Sequence, residues 1–424
     1  MDKSAPASGA PAPAPSGAPR RAVPAGFLFG TAISGHQSEG GNVNADCWLA
    51  ETVTPTVFKE PSFDACDSYN RWGEDIAIAG GLGLNSYRFG IEWSRIEPEP
   101  GVFSNAALDH YSRRLDACLE QGLAPMISFS HFTVPRWFAA RGGFEVADGA
   151  DLFARFAERS AARLGDRMAA ASTFNEPNVQ RLLALFRNEE RRTVGEQMLA
   201  ACARACGSER FSSQIFVPYQ ATEATMVDAH RKAMAAIKAG PGDVQVGMTL
   251  TMQHVEGVGE GHLGPALEEA LYGPWIEEAK GCDFVGVQTY TRVIVGPQGR
   301  LKPPADAEFT DSGYEFRPQA LGGTIRFAAE KIGRPIIVTE SGIATKDDTR
   351  RVAFIEGALE EVRNCLDEGI DVRGYIYWSL LDNFEWTSGY GHRFGLVDVD
   401  LKTFERTPKP SAYHLGALAR AGVI

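Results

Sequence analysis

Eight short β-rich runs recur along the chain, and a segment with helical periodicity follows each of them. The runs contain many β-branched and aromatic residues, and they begin at Phe27, Ser86, Ala124, Ala171, Val244, Phe284, Pro335 and Val372. Strands that alternate with helices predict a parallel sheet. Eight such units in 424 residues predict a single (β/α)8 TIM barrel of the α/β class.

The helical pattern is clear between the last two runs. Apolar residues there recur every three or four positions, at Ile355, Leu359, Val362 and Leu366. A doubly wound α/β fold shows the same alternation, but it would place a glycine-rich dinucleotide fingerprint after its first strand. No such fingerprint follows the run at Phe27, so the sequence favours the barrel.

The N-terminal segment differs in composition from the rest of the chain. Residues 1–22 are rich in alanine, proline, serine and glycine, which predicts a disordered tail, and residues 23–424 form the predicted barrel. No apolar stretch precedes Arg20 and Arg21, which argues against a Sec signal, and no run is long enough to span a membrane. The seven cysteines are scattered and odd in number, which favours reduced thiols. We therefore predict a cytoplasmic protein with no membrane partner.

Charge and cysteine spacing argue against two further kinds of site. The formal net charge is −12 at pH 7, and no basic run could neutralise phosphates, so we predict no nucleic-acid partner. Cys202 and Cys206 could share one face of a helix, but no second Cys or His pair accompanies them. The sequence therefore predicts neither a metal site nor a cofactor.

Several of the predicted strands end in polar or charged residues. These residues are His131, Glu176, Tyr290 and Glu340, with Asp382 and Glu385 just beyond the last strand. In a (β/α)8 barrel the carboxyl ends of all strands meet at one mouth, where active sites lie. We expect these side chains to converge there.

Two glutamates stand out within this set. Glu176 ends the fourth run in the stretch ASTFNEPN, and Glu340 ends the seventh in IVTESG. Two carboxyl groups facing each other across a barrel mouth suit glycoside hydrolysis, in which one attacks the anomeric carbon and the other protonates the leaving oxygen. The alternative is that each is a structural acid held in an ion pair.

These stretches resemble a known family. TFNEP and IVTESG are similar to the acid/base and nucleophile signatures of glycoside hydrolase family 1, the β-glucosidase family. The likeness extends from about Phe27 to Ala412 and includes FLFGTAISGHQSEG and WSLLDNFEWTSGYGHRFGLVDVD. The resemblance implies a retaining β-glycosidase that hydrolyses a small β-linked glycoside through a covalent glycosyl-enzyme, without a cofactor.

The resemblance also implies a role for each matching residue. Glu340 would be the nucleophile and Glu176 the general acid/base, with Arg88 and Tyr290 contacting the nucleophile. A neighbouring cation lowers a carboxyl pKa, so we expect Arg88 to lower that of Glu340. We expect burial and the charge of Glu340 to raise the pKa of Glu176.

Six further positions match the sugar-binding residues of the family: Gln37, His131, Asn175, Trp378, Glu385 and Trp386. Acid, amide and imidazole groups would grip the sugar hydroxyls, with Asn175 facing the 2-hydroxyl. The two tryptophans would supply an apolar platform for the sugar ring and an indole hydrogen bond.

The chain also departs from the family pattern. His36 stands where a tyrosine is usual, Phe132 replaces an indole, and Gln288 and Ser341 each replace an asparagine. The segment after Asn178 lacks the glycine- and proline-containing loop expected there. These changes leave the chemistry intact, but they affect the leaving-group (aglycone) site and the sugar contacts.

Three alternatives have different signatures. A transglycosidase of the same family would pass the sugar to an alcohol acceptor, and it would differ only around the aglycone. A non-catalytic sugar-binding barrel would not need Glu176, Glu340, Arg88 and Tyr290 together. A metal-dependent barrel hydrolase would need a His-rich mouth, and none of the eight histidines forms a His-x-His pair.

Overall fold

The computed structural model describes residues 20–186 and 189–424. Eight parallel strands close a barrel in chain order, and the last strand pairs with the first through Leu28 opposite Gly374 and Ala32 opposite Trp378. The strands are β1 (Leu28–Ala32), β2 (Ser86–Gly90), β3 (Ala124–Ser130), β4 (Ala170–Asn175), β5 (Gln245–Thr251), β6 (Phe284–Gln288), β7 (Ile336–Ser341) and β8 (Val372–Trp378). The predicted (β/α)8 barrel is confirmed, and the closed sheet rules out the doubly wound fold.

Helices surround the barrel and occupy its loops. They are α1 (Gly35–Ser38), α2 (Asp46–Thr52), α3 (Ser68–Gly81), α4 (Trp93–Ile96), α5 (Asn105–Glu120), α6 (Arg136–Arg141), α7 (Gly149–Leu164), α8 (Val179–Phe186), α9 (Glu189–Cys206), α10 (Tyr219–Ala239), α11 (Gly264–Tyr272), α12 (Trp275–Lys280), α13 (Ala320–Lys331), α14 (Asp348–Asp367) and α15 (Pro410–Ala421). Three short 3-10 turns cover Gly143–Glu145, Gly165–Arg167 and Trp386–Gly391. Short strands outside the barrel cover His254–Gly257, Arg292–Gly296, Gly299–Arg300, Val397–Val399 and Arg406–Pro408.

Helix α7 shows how the outer layer packs. Its buried residues recur at helical spacing and form one mainly apolar face: Phe153, Phe156, Ala157, Ser160, Ala161 and Leu164. The ring of Phe153 stacks on Phe174 of β4 with centroids 4.5 Å apart. Helix α14 behaves in the same way, because all four of the residues that predicted it are buried. The helical faces therefore cover the outside of the barrel, as the periodicity predicted.

The inside of the barrel is filled below the mouth. A separate apolar cluster there contains Met126, Phe284, Ile337 and Ile376. Gly247 leaves the room that the Phe284 ring needs, since a Cβ at this position would lie 2.3 Å from the ring. The interior is therefore a packed core beneath the mouth.

The predicted tail lies mostly outside the described residues, which begin at residue 20. Arg20 forms an ion pair with Glu356 at 2.7 Å, and Ala22 forms a β-bridge with Val423. Residues 20–22, assigned to the tail from the sequence, thus contact helix α14 and the C-terminus, and the disorder of residues 1–19 remains a prediction. Within the described residues, none of the helices combines the length and the apolar character needed to cross a bilayer.

Candidate active site

A cavity of about 150 Å³ opens at the carboxyl ends of the strands. Eight of the ten predicted site residues line it: Gln37, His131, Glu176, Tyr290, Glu340, Trp378, Glu385 and Trp386. The other two, Arg88 and Asn175, are buried and contact residues of the wall. Five of the six predicted strand-end residues thus line one cavity: His131, Glu176, Tyr290, Glu340 and Glu385.

Glu340 ends β7 with both carboxyl oxygens engaged. Arg88 of β2 donates from Nη1 to Oε1 at 2.6 Å, and Tyr290 donates its hydroxyl to Oε2 at 2.7 Å. The Arg88 and Glu340 side chains are only 2% and 5% exposed. Two charge-assisted hydrogen bonds in a dry site fix the carboxylate in one orientation.

Glu176 lies directly after β4 and enters the same cavity. Its backbone N–H donates to the carbonyl of Thr249 on β5 at 3.0 Å, which ties the residue to the sheet. Its φ of +44° lies in the left-handed region, and Phe132 (+70°) and Trp386 (+46°) share this strained geometry. Such strain in non-glycine residues is typical of functional sites.

The surroundings affect the pKa values of the two acids differently. Burial and the neighbouring Glu340 raise the pKa of Glu176 well above its usual range. Burial also raises the pKa of Glu340, but Arg88 and the Tyr290 hydroxyl oppose that rise. The predicted effect of Arg88 is present, although burial outweighs it. Arg88 and Tyr290 thus favour the ionised form of Glu340, whereas burial and the charge of Glu340 favour the protonated form of Glu176.

A polar network lies behind this pair. Asn175 accepts hydrogen bonds at Oδ1 from Arg88 (2.5 Å) and Gln288 (2.9 Å), and its Nδ2 donates to His131 Nε2 at 3.2 Å. Burial and the Arg88 charge hold the pKa of His131 well below its usual value, so the imidazole is neutral. Gln288, which departs from the family pattern, is thus integrated into the network.

Gln37 and Glu385 form a second polar group in the cavity. Gln37 Nε2 donates to the Phe384 carbonyl at 2.9 Å and to Glu385 Oε2 at 3.2 Å. Burial and the nearby Glu340 raise the pKa of Glu385 to about 8, while Gln37 opposes the rise. An amide and an acid fixed side by side suit two adjacent hydroxyl groups.

Stacked rings form the apolar wall. The His131 ring is nearly parallel to Trp378, with centroids 5.5 Å apart, and to Trp386, with centroids 6.3 Å apart. His36 stacks on Trp386 at 5.6 Å, and its Nε2 lies 2.6 Å from Glu51 Oε1. Although burial opposes protonation, the acids around His36 raise its pKa overall, with Glu51 contributing most. His36, which replaces the usual tyrosine, thus packs against Trp386, one of the two tryptophans predicted to form the sugar platform.

The structure also adds residues that sequence reasoning missed. Seven further residues line the cavity besides Phe132: Val179, Leu182, Leu183, Thr251, Gln253, Tyr314 and Phe394. Thr251 ends β5, so the rule that found Glu176 would have found it as well. The others lie in loops or on helix α8, within the segment that departs from the family pattern, and none of them ends a barrel strand.

One predicted member of the mouth has a structural role. Asp382 accepts hydrogen bonds from Lys409 at 2.7 Å and from the Gly395 backbone at 2.8 Å, and it does not line the cavity. Asp382 is therefore a structural acid held in an ion pair, which was the alternative considered for Glu176 and Glu340. Across residues 20–186 and 189–424, no cluster of three or more His, Cys, Asp or Glu side chains is arranged to hold a metal ion.

A (β/α)8 barrel with two buried acids in a mouth lined by amide, acid and aromatic side chains is the architecture of a glycoside hydrolase. The sequence matches the model of glycosyl hydrolase family 1 over residues 20–264 and 285–422, and the chain belongs to this family.

Known relatives agree with this assignment. A solved structure described as a β-glucosidase 1317 superposes with a TM-score of 0.90 at 46% identity, covering 93% of this chain and 98% of that one. β-Glucosidase A of Thermotoga maritima is 28% identical over 92% of this chain and 96% of its own length. A bifunctional β-D-glucosidase/β-D-fucosidase of Bifidobacterium breve is 30% identical with the same coverage of both chains. The protein is a retaining β-glycosidase, and the transglycosidase and non-catalytic alternatives are not favoured.

Proposed function

We propose that the protein hydrolyses small β-glucosides, with Glu340 as nucleophile and Glu176 as general acid/base. The observation that carries this assignment is that the two acids of one cavity have different hydrogen-bond partners and different electrostatic surroundings. Arg88 and Tyr290 hold both oxygens of Glu340, whereas burial and the charge of Glu340 favour the protonated form of Glu176. One carboxylate is therefore ready to attack while the other can give up a proton.

The first chemical step uses both acids. Glu340 forms a bond to the anomeric carbon while the glycosidic bond breaks, and Glu176 transfers its proton to the departing oxygen. The neutral alcohol leaves, and the sugar is esterified to Glu340. The Tyr290 hydroxyl and Arg88 stay next to the carboxyl and hold the ester in register.

The second step follows from the electrostatics of the first. Esterification removes the negative charge of Glu340, which is one of the two main causes of the raised pKa of Glu176. The pKa of Glu176 therefore falls, and the carboxylate can take a proton from the incoming water. Water attacks the anomeric carbon, Glu340 leaves, and free sugar with retained configuration is released.

The sugar itself would be held by the other lining groups. Gln37 and Glu385 would bind neighbouring hydroxyls, and the neutral His131 would bind a third. Trp378 and Trp386 would contact the ring face. Glucose as the preferred sugar is supported by the β-glucosidase names of the relatives. Cytoplasmic action is supported by the seven cysteines, which are all unpaired thiols.

Trapping of the covalent intermediate tests this proposal. A 2-deoxy-2-fluoro-β-glucosyl fluoride slows the second step more than the first, so the sugar accumulates on the nucleophile. We expect peptide mapping of the wild-type protein to place one label on Glu340, and we expect no label on Glu340→Gln. Glu176→Ala should still be labelled, since fluoride leaves without a proton. A label on Glu176, or turnover by Glu340→Gln at the wild-type rate, would overturn the assignment.

A further inference from the structure

A second cavity, of about 460 Å³, lies among helices α11, α13 and α14 of the outer layer. We call it the side cleft. Its walls include residues of these helices, the short strand His254–Gly257 and the adjacent Gln253. Of its described lining residues, only Gln253 also lines the active-site cavity. The side cleft is therefore a separate space from the one that contains Glu176 and Glu340.

Gln253 brings an unpartnered amide to the side cleft. The residue is only 9% exposed. Its backbone N–H donates to the Tyr272 hydroxyl at 3.3 Å, and its carbonyl accepts a hydrogen bond from the same hydroxyl at 3.1 Å. Across residues 20–186 and 189–424, the side-chain amide itself has no hydrogen-bond partner. A buried amide without a partner costs free energy, so this group is free to bind a ligand that fills the cleft.

Two neighbouring side chains add further hydrogen-bonding groups. His254 packs against helix α13 at Gly323, where a Cβ would lie 2.3 Å from the imidazole ring. Burial lowers the pKa of His254, so the imidazole is uncharged near neutral pH. Glu268 of α11 is half-buried, and its carboxyl has no hydrogen-bond partner in the part of the chain that the structure describes. Burial raises the pKa of Glu268, which opposes its negative charge.

The other charged residues of the side cleft are already paired. Arg326 forms ion pairs with Glu361 at 3.4 Å and with Glu368 at 2.6 Å. Glu330 pairs with Lys331 at 2.7 Å. A charged ligand would therefore compete with these existing pairs. The side cleft favours a neutral ligand instead, one that hydrogen-bonds to the unpaired amide, imidazole and carboxyl groups.

These groups match the chemistry of a sugar. Amide, imidazole and carboxyl groups hydrogen-bond to hydroxyls, and the half-buried ring of Phe327 offers an apolar surface to the face of a pyranose. We propose that the side cleft is a second, non-catalytic binding site for a neutral mono- or disaccharide. Neither Glu176 nor Glu340 lines it, so a sugar bound there is not cleaved. Binding at this site is independent of the proposed function and adds a second ligand site to it.

A glucose derivative that carries a photoreactive diazirine tests the proposal, because the covalent label reports where the sugar binds. After irradiation of the wild-type protein, we expect peptide mapping to find label on α13 (Ala320–Lys331), which lines the side cleft and not the active-site cavity. Excess free glucose should suppress this label. Label confined to active-site peptides, or label on α13 that glucose does not suppress, would overturn the proposal.

Two neighbouring substitutions on α11 localise the binding. Glu268→Ala removes the unpaired carboxyl, and we expect the glucose concentration that halves the α13 label to rise at least about tenfold. Complete loss of the α13 label in this folded variant would support the same conclusion. Glu269→Ala is the matched control, because Glu269 is exposed and lines neither cavity, and its value should stay within about twofold of the wild type. An equal rise in both variants would contradict a role of the cleft.

Spermidine distinguishes a sugar site from a cation site at the same position. We expect spermidine to leave the α13 label unchanged at the concentration at which glucose halves it. Suppression by spermidine and not by glucose would show that the side cleft binds an organic cation, and the proposal would be wrong. Labelling requires no turnover, so Glu340→Gln should give the same α13 label as the wild type. Failure of the nucleophile assignment is thereby distinguished from failure of the second sugar site.

Discussion

The buried arginine behind the proposed nucleophile gives the sharpest quantitative prediction. Arg88→Met removes the cation that lies 2.6 Å from Glu340 and keeps an unbranched side chain in its place. At an effective dielectric constant of about 20, unit charges about 4 Å apart attract each other by about 4 kcal/mol. That energy corresponds to roughly a thousandfold change in the ratio of ionised to protonated Glu340. We therefore expect kcat/KM at about pH 6 to fall by about 100- to 1000-fold.

The pH profile distinguishes this cause from a general disturbance. Loss of the cation raises the pKa of Glu340 further, so the acidic limb of kcat/KM should move to higher pH. An aryl glucoside with a good leaving group is the right substrate, because it depends little on the proton of Glu176. Arg88→Lys restores a cation with fewer donors, and its acidic limb should lie between those of the wild type and Arg88→Met.

A second buried ion pair supplies the control. Arg406 lies 3.0 Å from Asp75, both side chains are at most 2% exposed, and neither residue lines the active-site cavity. Arg406→Met should lower the free energy of unfolding by about 3–5 kcal/mol and leave the acidic limb in place. If folded Arg88→Met also kept its acidic limb at the wild-type position, the electrostatic account of Glu340 would be wrong.

Three further predictions concern the remaining groups. Glu176→Ala should slow alkyl glucosides far more than activated aryl glucosides, and equal losses in kcat would contradict the acid role. Burial raises the pKa of Glu176, so its contribution to stability is present at low pH and is lost as the pH rises through that pKa. The difference in Tm between Glu176→Gln and the wild type should therefore shift in favour of the variant by at least about one degree between about pH 5 and pH 8. A constant difference over that range would argue against this linkage. His36→Phe keeps an aromatic ring against Trp386 but removes the hydrogen bond to Glu51. We expect KM to rise by about tenfold while kcat stays within about threefold of the wild type. An unchanged KM would show that this hydrogen bond does not position the Trp386 indole.

The barrel and its proposed acids could be predicted because their signals are local. Each strand shows its own β-rich run, and a residue such as Glu176 or Glu340 reaches the mouth simply because it follows that run. Asp382 shows the limit of this reasoning. It follows the last strand by the same rule, but its charge is taken up by Lys409, which lies 27 positions away along the chain.

Part of the wall of the active-site cavity could not be predicted in the same way. Tyr314 and Phe394 lie in long connections between elements, and only the folded chain brings them next to Glu176. The balance of effects on Glu340 was also inaccessible. A sequence shows that Arg88 is available, but the cost of burying the carboxylate depends on the depth of the finished cavity.

The junction between β4 and α8 has an evolutionary consequence. Glu176 is fixed through its backbone to the neighbouring strand, whereas three residues later the chain enters a helix whose outer residues, such as Leu185, are exposed. Substitutions on such a surface usually change stability by less than about 0.5 kcal/mol. Descendants of this protein could therefore vary the outer face of this helix by drift, while the backbone hydrogen bond to β5 keeps Glu176 in place on the sheet.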